Sequence, residues 1–100
     1  MIRGSTPTHT FSLPISTDLI KSLRLTYVQS GRTVLEKTEK EVGMNGKQIS
    51  LKLTQEETLA FDISYRVKIQ LKVLTVDGSV MVSQIFEQSA ESVLNEEVLK

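Results

Sequence analysis

His9 is the sole histidine of this chain and the first side chain to weigh for acid–base chemistry. Such work, or activation of a nucleophile, wants a positioned partner. Thr8, Thr10 and Ser12 are near in sequence, but no serine stands in a nucleophile-elbow context. His9 is therefore read as a polar residue on an outer or edge strand. The carboxylate pairs Glu56-Glu57 and Glu96-Glu97 could in principle hold a cation. Adjacent carboxylates on a helix do not share a face, and no calcium-loop spacing surrounds either pair. Capping and solvation account for them. Gly31, Gly43, Gly46 and Gly78 are too scattered to cradle a phosphate. Asp62 and Asp77 read as loop and turn residues, and no carboxylates pair across a cleft as a glycosidase requires. The row Arg66, Lys68, Lys72 is interrupted by Gln70 and reads as a solvated strand face that discourages edge pairing. Phe11, Tyr27, Phe61, Tyr65 and Phe86 fall mostly at core-facing positions, which leaves no base-stacking platform. No catalytic, metal-binding or cofactor-binding residue is expected, and the chain is expected not to be an enzyme.

The elements that would position these side chains are short. Three turn signals punctuate the sequence, at Gln29-Ser30-Gly31, Met44-Asn45-Gly46 and Val76-Asp77-Gly78. Each reads as a hairpin loop with Gly in a left-handed conformation. Thr8–Leu13 alternates, with Phe11 and Leu13 on one face, and Pro14 ends it. Ser16-Thr17-Asp18 caps a single turn through Leu19-Ile20. Residues 20–29 form a second strand with Leu23, Leu25 and Tyr27 inward.

The segment Thr33–Val42 leaves two readings open. Helix propensity is good, and Glu36–Lys40 and Lys37–Glu41 could pair at helical spacing. Val34, Leu35 and Val42 are too few apolar residues to anchor a helix, so a hairpin strand is favoured. Residues 47–53 alternate with Ile49, Leu51 and Leu53 inward. Thr54-Gln55-Glu56-Glu57 is a capping box, opening a short helix through Leu59 to Phe61 that carries the chain from one sheet to the other.

Arg66–Thr75 is the strongest strand, with Val67, Ile69, Leu71 and Val73 inward. The return strand, Ser79–Ser89, has two registers. A two-residue turn sets Val82, Gln84 and Phe86 opposite Val73, Leu71 and Ile69. A three-residue loop with a glycine bulge sets Met81, Ser83 and Ile85 there. The bulge is favoured, because it buries Ser83 rather than Gln84.

Six strands and one connecting helix predict an all-β fold. It is a small antiparallel two-sheet sandwich, immunoglobulin-like in layout, with a partly open barrel as the alternative. Residues 1–90 are read as the sandwich domain and 91–100 as a C-terminal tail. In the tail, Val93, Leu94, Val98 and Leu99 stand among glutamates and are the expected partner-docking residues. Leu94 and Val98 are four apart, as on a short helix, which alone would be marginal.

Composition narrows the partners. Twelve basic side chains balance twelve acidic ones. A neutral surface speaks against nucleic acid and against an anionic membrane as partner. With no cysteine, disulfides and cysteine-based zinc sites are excluded. No secretory signal and no run of ~18 apolar residues is found, so the chain is expected in the cytoplasm as made.

Four segments read together: Thr6–Pro14, Leu53–Thr58, Val67–Thr75 and the ending Val93–Leu99. They resemble small, mostly uncharacterised proteins of about this length, encoded by phages and prophages of Gram-positive gut bacteria beside virion structural genes. The resemblance covers essentially the whole chain. In layout alone, the chain is also similar to the N-terminal domain of phage baseplate upper proteins. These resemblances imply a non-enzymatic structural or assembly protein, virion-associated at tail, baseplate or capsid. Its implied partners are other virion proteins or further copies of itself. The alternative is a small ligand- or carbohydrate-binding module, which needs exposed aromatics, for instance Tyr27 with Tyr65 on one outer face.

Overall fold

Two antiparallel sheets build the chain, which is described over residues 1–100 by a computed structural model. In chain order the strands are β1 (Thr8–Ser12), β2 (Ile20–Gln29), β3 (Arg32–Thr38), β4 (Gly43–Asn45), β5 (Gln48–Lys52), β6 (Arg66–Thr75), β7 (Val80–Val82) and β8 (Phe86–Ser89). The one α-helix, α1, spans Gln55–Leu59. The small sheet runs β1-β5-β4. The large sheet runs β3-β2-β6, and β6 then pairs with both β7 and β8. The expected two-sheet antiparallel sandwich is the fold.

The core follows from period-two alternation on the two long strands. Leu23, Leu25 and Tyr27 on β2 lie beside Val67, Ile69, Leu71 and Val73 on β6. Ile49, Leu51 and Leu53 cover them from the small sheet, and Phe61 closes one end. All of these side chains are buried, whereas Arg66, Lys68 and Lys72 point to solvent.

The turns divide by length. Gln29 pairs with Arg32, which leaves a two-residue loop of Ser30 and Gly31, both at positive φ. That geometry matches the right-handed twist of the strands it joins. Gly78 is also left-handed, at φ 88°, and closes a three-residue loop: the Thr75 amide bonds the Ser79 carbonyl at 2.9 Å. The Asp77 carboxylate accepts from the Thr75 hydroxyl and the Ser79 amide, which keeps its pKa low.

Three details correct the sequence reading. First, the favoured hairpin strand in Thr33–Val42 forms, as β3, but it stops short of Val42. β3 pairs with β2 only as far as Thr38, and the chain then leaves the large sheet. The Glu39 carboxylate takes over at that point and accepts the Leu23 amide at 3.0 Å. Lys37 does approach Glu41, at 3.5 Å, but across a turn, and Glu36 faces Arg24 at 3.7 Å instead of Lys40. Second, Met44 and Asn45 are not loop residues. They form β4, which pairs with β5 around Gly46-Lys47. Third, Ser79–Ser89 is two strands. Met81 lies opposite Val73, as the bulge register requires, but Phe86 lies opposite Ile69, as the other register requires. One extra residue between Ser83 and Phe86 flips the side-chain parity. Ser83 holds the break: its Oγ accepts the Leu71 amide at 3.0 Å and its amide donates to the Leu71 carbonyl at 2.8 Å. Each register therefore holds over half of the segment.

The capping box forms as read. Thr54 Oγ1 accepts the Glu57 amide at 3.1 Å and Glu57 accepts the Thr54 amide at 2.8 Å. Glu57 also takes Lys37 Nζ at 2.5 Å, which ties β3 to α1. Burial alone would raise the Glu57 pKa, but bonds from Lys37 and Thr54 outweigh it and hold the carboxyl low. The helix carries the chain from the small sheet to the large one. No helix is long and apolar enough to cross a membrane.

Candidate functional site

The two sheets meet without joining along one seam, and that seam carries the chain's only histidine. β1 is an edge strand of the small sheet, paired on one side with β5. The Leu13 amide bonds the Lys47 carbonyl and the Leu53 amide bonds the Pro7 carbonyl. Odd-numbered residues of β1 therefore spend their backbone groups on β5, and those of Thr8, Thr10 and Ser12 point to the open side. Side-chain alternation sends His9, Phe11 and Leu13 inward. Across the seam, the parity flip after Ser83 turns Phe86 and Gln88 inward from β8. Ile69 and Leu71 make the floor. The result is a groove of about 530 Å³. A neighbouring hollow of about 260 Å³ shares Ser12, Leu13, Leu71 and Ser83 with it and extends it toward Met81 and Pro14.

At one end of the groove stands a polar group of three. His9 Nδ1 lies 2.6 Å from the Tyr27 hydroxyl, and the two rings stack with centroids 5.7 Å apart. His9 Nε2 faces the Gln88 amide at 3.4 Å. Burial, and then the N-terminal ammonium, pull the imidazole below its ordinary pKa of 6.5. Burial, and then the Glu57 charge, push the Tyr27 phenol well above its usual range, so it stays protonated. Both imidazole nitrogens are thus taken up by neutral groups. This arrangement orients hydrogen-bonding capacity at the groove mouth; it does not build the base–nucleophile pair of a hydrolase. In mid-groove, Phe11 and Phe86 meet with centroids 5.8 Å apart and rings tilted by 55°.

A second feature adjoins the first. From Gly78 to Phe86 the chain carries no charge. Val80, Val82 and Ile85 are more than half exposed and Phe86 39% exposed, while Met81 is half-buried.

The residues singled out by sequence are distributed as follows. His9 is on an edge strand as read, but faces inward onto Tyr27. Tyr27 is fully buried while Tyr65 is 49% exposed, so they form no outer aromatic pair. Arg66, Lys68 and Lys72 line the outer face of the large sheet, where Arg66 pairs with Glu87 at 3.2 Å. In the tail no helix forms. Val93 and Val98 are half-buried, whereas Leu94 and Leu99 stand out in solvent. The tail is held by Arg3–Glu96 at 2.5 Å and by Gln55, whose side chain exchanges two bonds with the Leu99 backbone. Gln88 and Ser83, both missed as site residues, become visible only once the parity flip is known.

Comparison with family models, with curated proteins and with solved structures finds no match.

Proposed function

We propose that this chain is a non-enzymatic β-sandwich module that assembles with protein partners in a phage or prophage particle, at its tail, baseplate or capsid. The observation that carries the assembly role is the uncharged run Val80–Phe86, exposed along the edge of the large sheet. An edge of this kind templates strand addition and is a hazard when left bare, so a partner that covers it gives the exposure a use. Leu94 and Leu99 offer a second apolar contact on the tail, beside Val93 and Val98. The particle is proposed on the resemblance of the segments Thr6–Pro14, Leu53–Thr58, Val67–Thr75 and Val93–Leu99. Mass spectrometry of density-purified particles from the strain that encodes the chain tests this role. The chain should co-purify in a fixed ratio to the major structural proteins. Its recovery only outside the particles would end the virion assignment.

A second reading, a ligand- or carbohydrate-binding module, is favoured by the seam groove. Phe11 and Phe86 supply aromatic surface there, and His9 and Gln88 supply hydrogen bonds. Titration with oligosaccharides, followed by amide chemical shifts, should move Thr10, Phe86 and Gln88 together if this reading holds. Unmoved signals at saturating sugar would discard it.

A further inference from the structure

Every sheet edge but one is guarded. β3 carries Arg32, Glu36 and Lys37, and its pairing with β2 is broken by a bulge at Tyr27/Val28. β4 is three residues long and stands between the charged Glu41 and Lys47. β1 is flanked by Pro7 and Pro14. The end of β8 is covered by the N-terminal segment: Met1 N bonds the Ser89 carbonyl, Glu91 N bonds the Met1 carbonyl and Arg3 N bonds the Glu91 carbonyl. Charges, short strands and prolines are the devices by which sheet proteins block edge pairing. β7 is as short as β4, but no charge and no proline stands between Gly78 and Phe86.

The backbone of β7 is also correctly presented. The Thr75 amide bonds the Ser79 carbonyl and the Ser83 amide bonds the Leu71 carbonyl. Odd-numbered residues therefore face β6, and the N–H and C=O of Val80 and Val82 face outward, without a strand beside them. We propose that the partner for this edge is a second copy of the chain. Two β7 strands pair antiparallel about a two-fold axis, and the large sheets become one continuous sheet.

Charge and side-chain pattern select the register. With Met81 on the axis, Val80 of each copy faces Val82 of the other, and four valines cluster on the outer face of the joined sheet. Asp77 then lies opposite Ile85 of the second copy. Moving the axis to Val82 sets Asp77 against Glu87 of the second copy, and like charges directly opposite oppose pairing. Moving it to Val80 sets Val82 against Gly78 and loses the valine pairs. The absence of charge from Gly78 to Phe86 lets two identical edges meet without repulsion, which a charged edge could not do. This inference rests on the assembly role and names one partner for it. A dimer could exist without any particle, and a particle component could lack the dimer, so the two tests fail separately.

The experiment is solution mass by light scattering behind size exclusion, across a wide concentration range, on the full chain and on Val82→Glu. Val82 is exposed and lies opposite Lys72, so the new carboxylate gains a cross-strand cation and the fold is kept, which circular dichroism confirms. The parent chain should show a monomer–dimer equilibrium, and V82E should weaken it by roughly tenfold or more. Since the chain has no cysteine, single cysteines then read the register under a mild thiol oxidant. Residues facing each other in a non-hydrogen-bonded antiparallel pair have Cα atoms about 4.5 Å apart, within disulfide reach. Met81→Cys should cross-link two copies, and Val80→Cys and Val82→Cys should not. A strictly monomeric parent, a dimer untouched by V82E, or cross-linking at 80 or 82 in preference to 81 would each overturn the proposal.

Discussion

At the scale of the residue, His9 couples the groove to pH. Its imidazole is held neutral by burial in the folded chain, below the value of 6.5 that an unfolded chain would show. Between the lowered value and 6.5, the folded state binds fewer protons than the unfolded one. Stability is therefore complete above the unfolded value and is lost as pH falls through the folded one. The depressed carboxylates Glu39, Glu41 and Glu57 lose their contribution only below their ordinary 4.5, in a separate and more acidic window. Melting temperature should fall as pH drops below 6.5, and His9→Gln should flatten that decline. A parent chain as flat as the variant across this range would contradict the neutral, buried imidazole. Protonation would also place a cation against the Tyr27 phenol at 2.6 Å, so the same acid should disturb the groove mouth first.

Among the elements, the loop between α1 and β6 depends on a residue of another strand. Gln29, buried at the end of β2, donates from Nε2 to the Asp62 carbonyl at 2.7 Å and the Tyr65 carbonyl at 3.0 Å. Its Oε1 accepts the Asp62 amide at 2.8 Å. Gln29→Leu keeps the bulk but leaves these backbone groups without a partner. The expected cost is about 2–4 kcal/mol in urea unfolding, and a cost below about 0.5 kcal/mol would show that water takes the place of the side chain. The sequence made this strand legible through Leu23, Leu25 and Tyr27, and the helix through Thr54 and Glu57, because alternation and capping are local signals. Gln29 read only as a turn residue, since its partners lie more than thirty positions away. The switch of sheets after Thr38 and the parity flip after Ser83 were illegible for the same reason. Each depends on which strand arrives alongside, and a polar side chain, Glu39 or Ser83, replaces the lost ladder bond. The candidate site shared this fate. His9, Phe11, Ile69, Leu71, Ser83, Phe86 and Gln88 come from three separate stretches, and only the tertiary pairing brings them to one groove.

For the whole molecule, the tail behaves as an appendage that is pinned at a few points. Beyond Glu91 it is held by the Arg3–Glu96 pair, by the Gln55–Leu99 exchange and by Val93, which lies beside Gly4 and Leu59. Exposed ion pairs contribute little, and the half-buried Val93 and Val98 about 1 kcal/mol each. Removing residues 92–100 should therefore leave the sandwich folded with a loss of about 1–2 kcal/mol by chemical denaturation. An unfolded product would place the tail in the core. Self-pairing through β7 should survive this truncation, whereas binding of an external partner through Leu94 and Leu99 should not.

The pairing at the centre of the large sheet has a kinetic consequence. β2 finds β3 at once through Ser30-Gly31, a local closure of about microseconds. Its other neighbour, β6, is delivered only after the whole excursion through β4, β5 and α1, since Leu25 pairs with Leu71. Non-local antiparallel pairing of this kind sets folding times of about milliseconds to seconds. During that interval Leu23, Leu25 and Tyr27 have no cover from β6, and the β6–β7 hairpin, closed locally through Val76-Asp77-Gly78, carries the uncharged run from Gly78 to Phe86 with no sheet to join. The same valines that suit a finished edge to a second copy are then free to capture another unfinished chain. Assembly and misassembly thus compete for one segment, and the speed with which β6 reaches β2 decides between them.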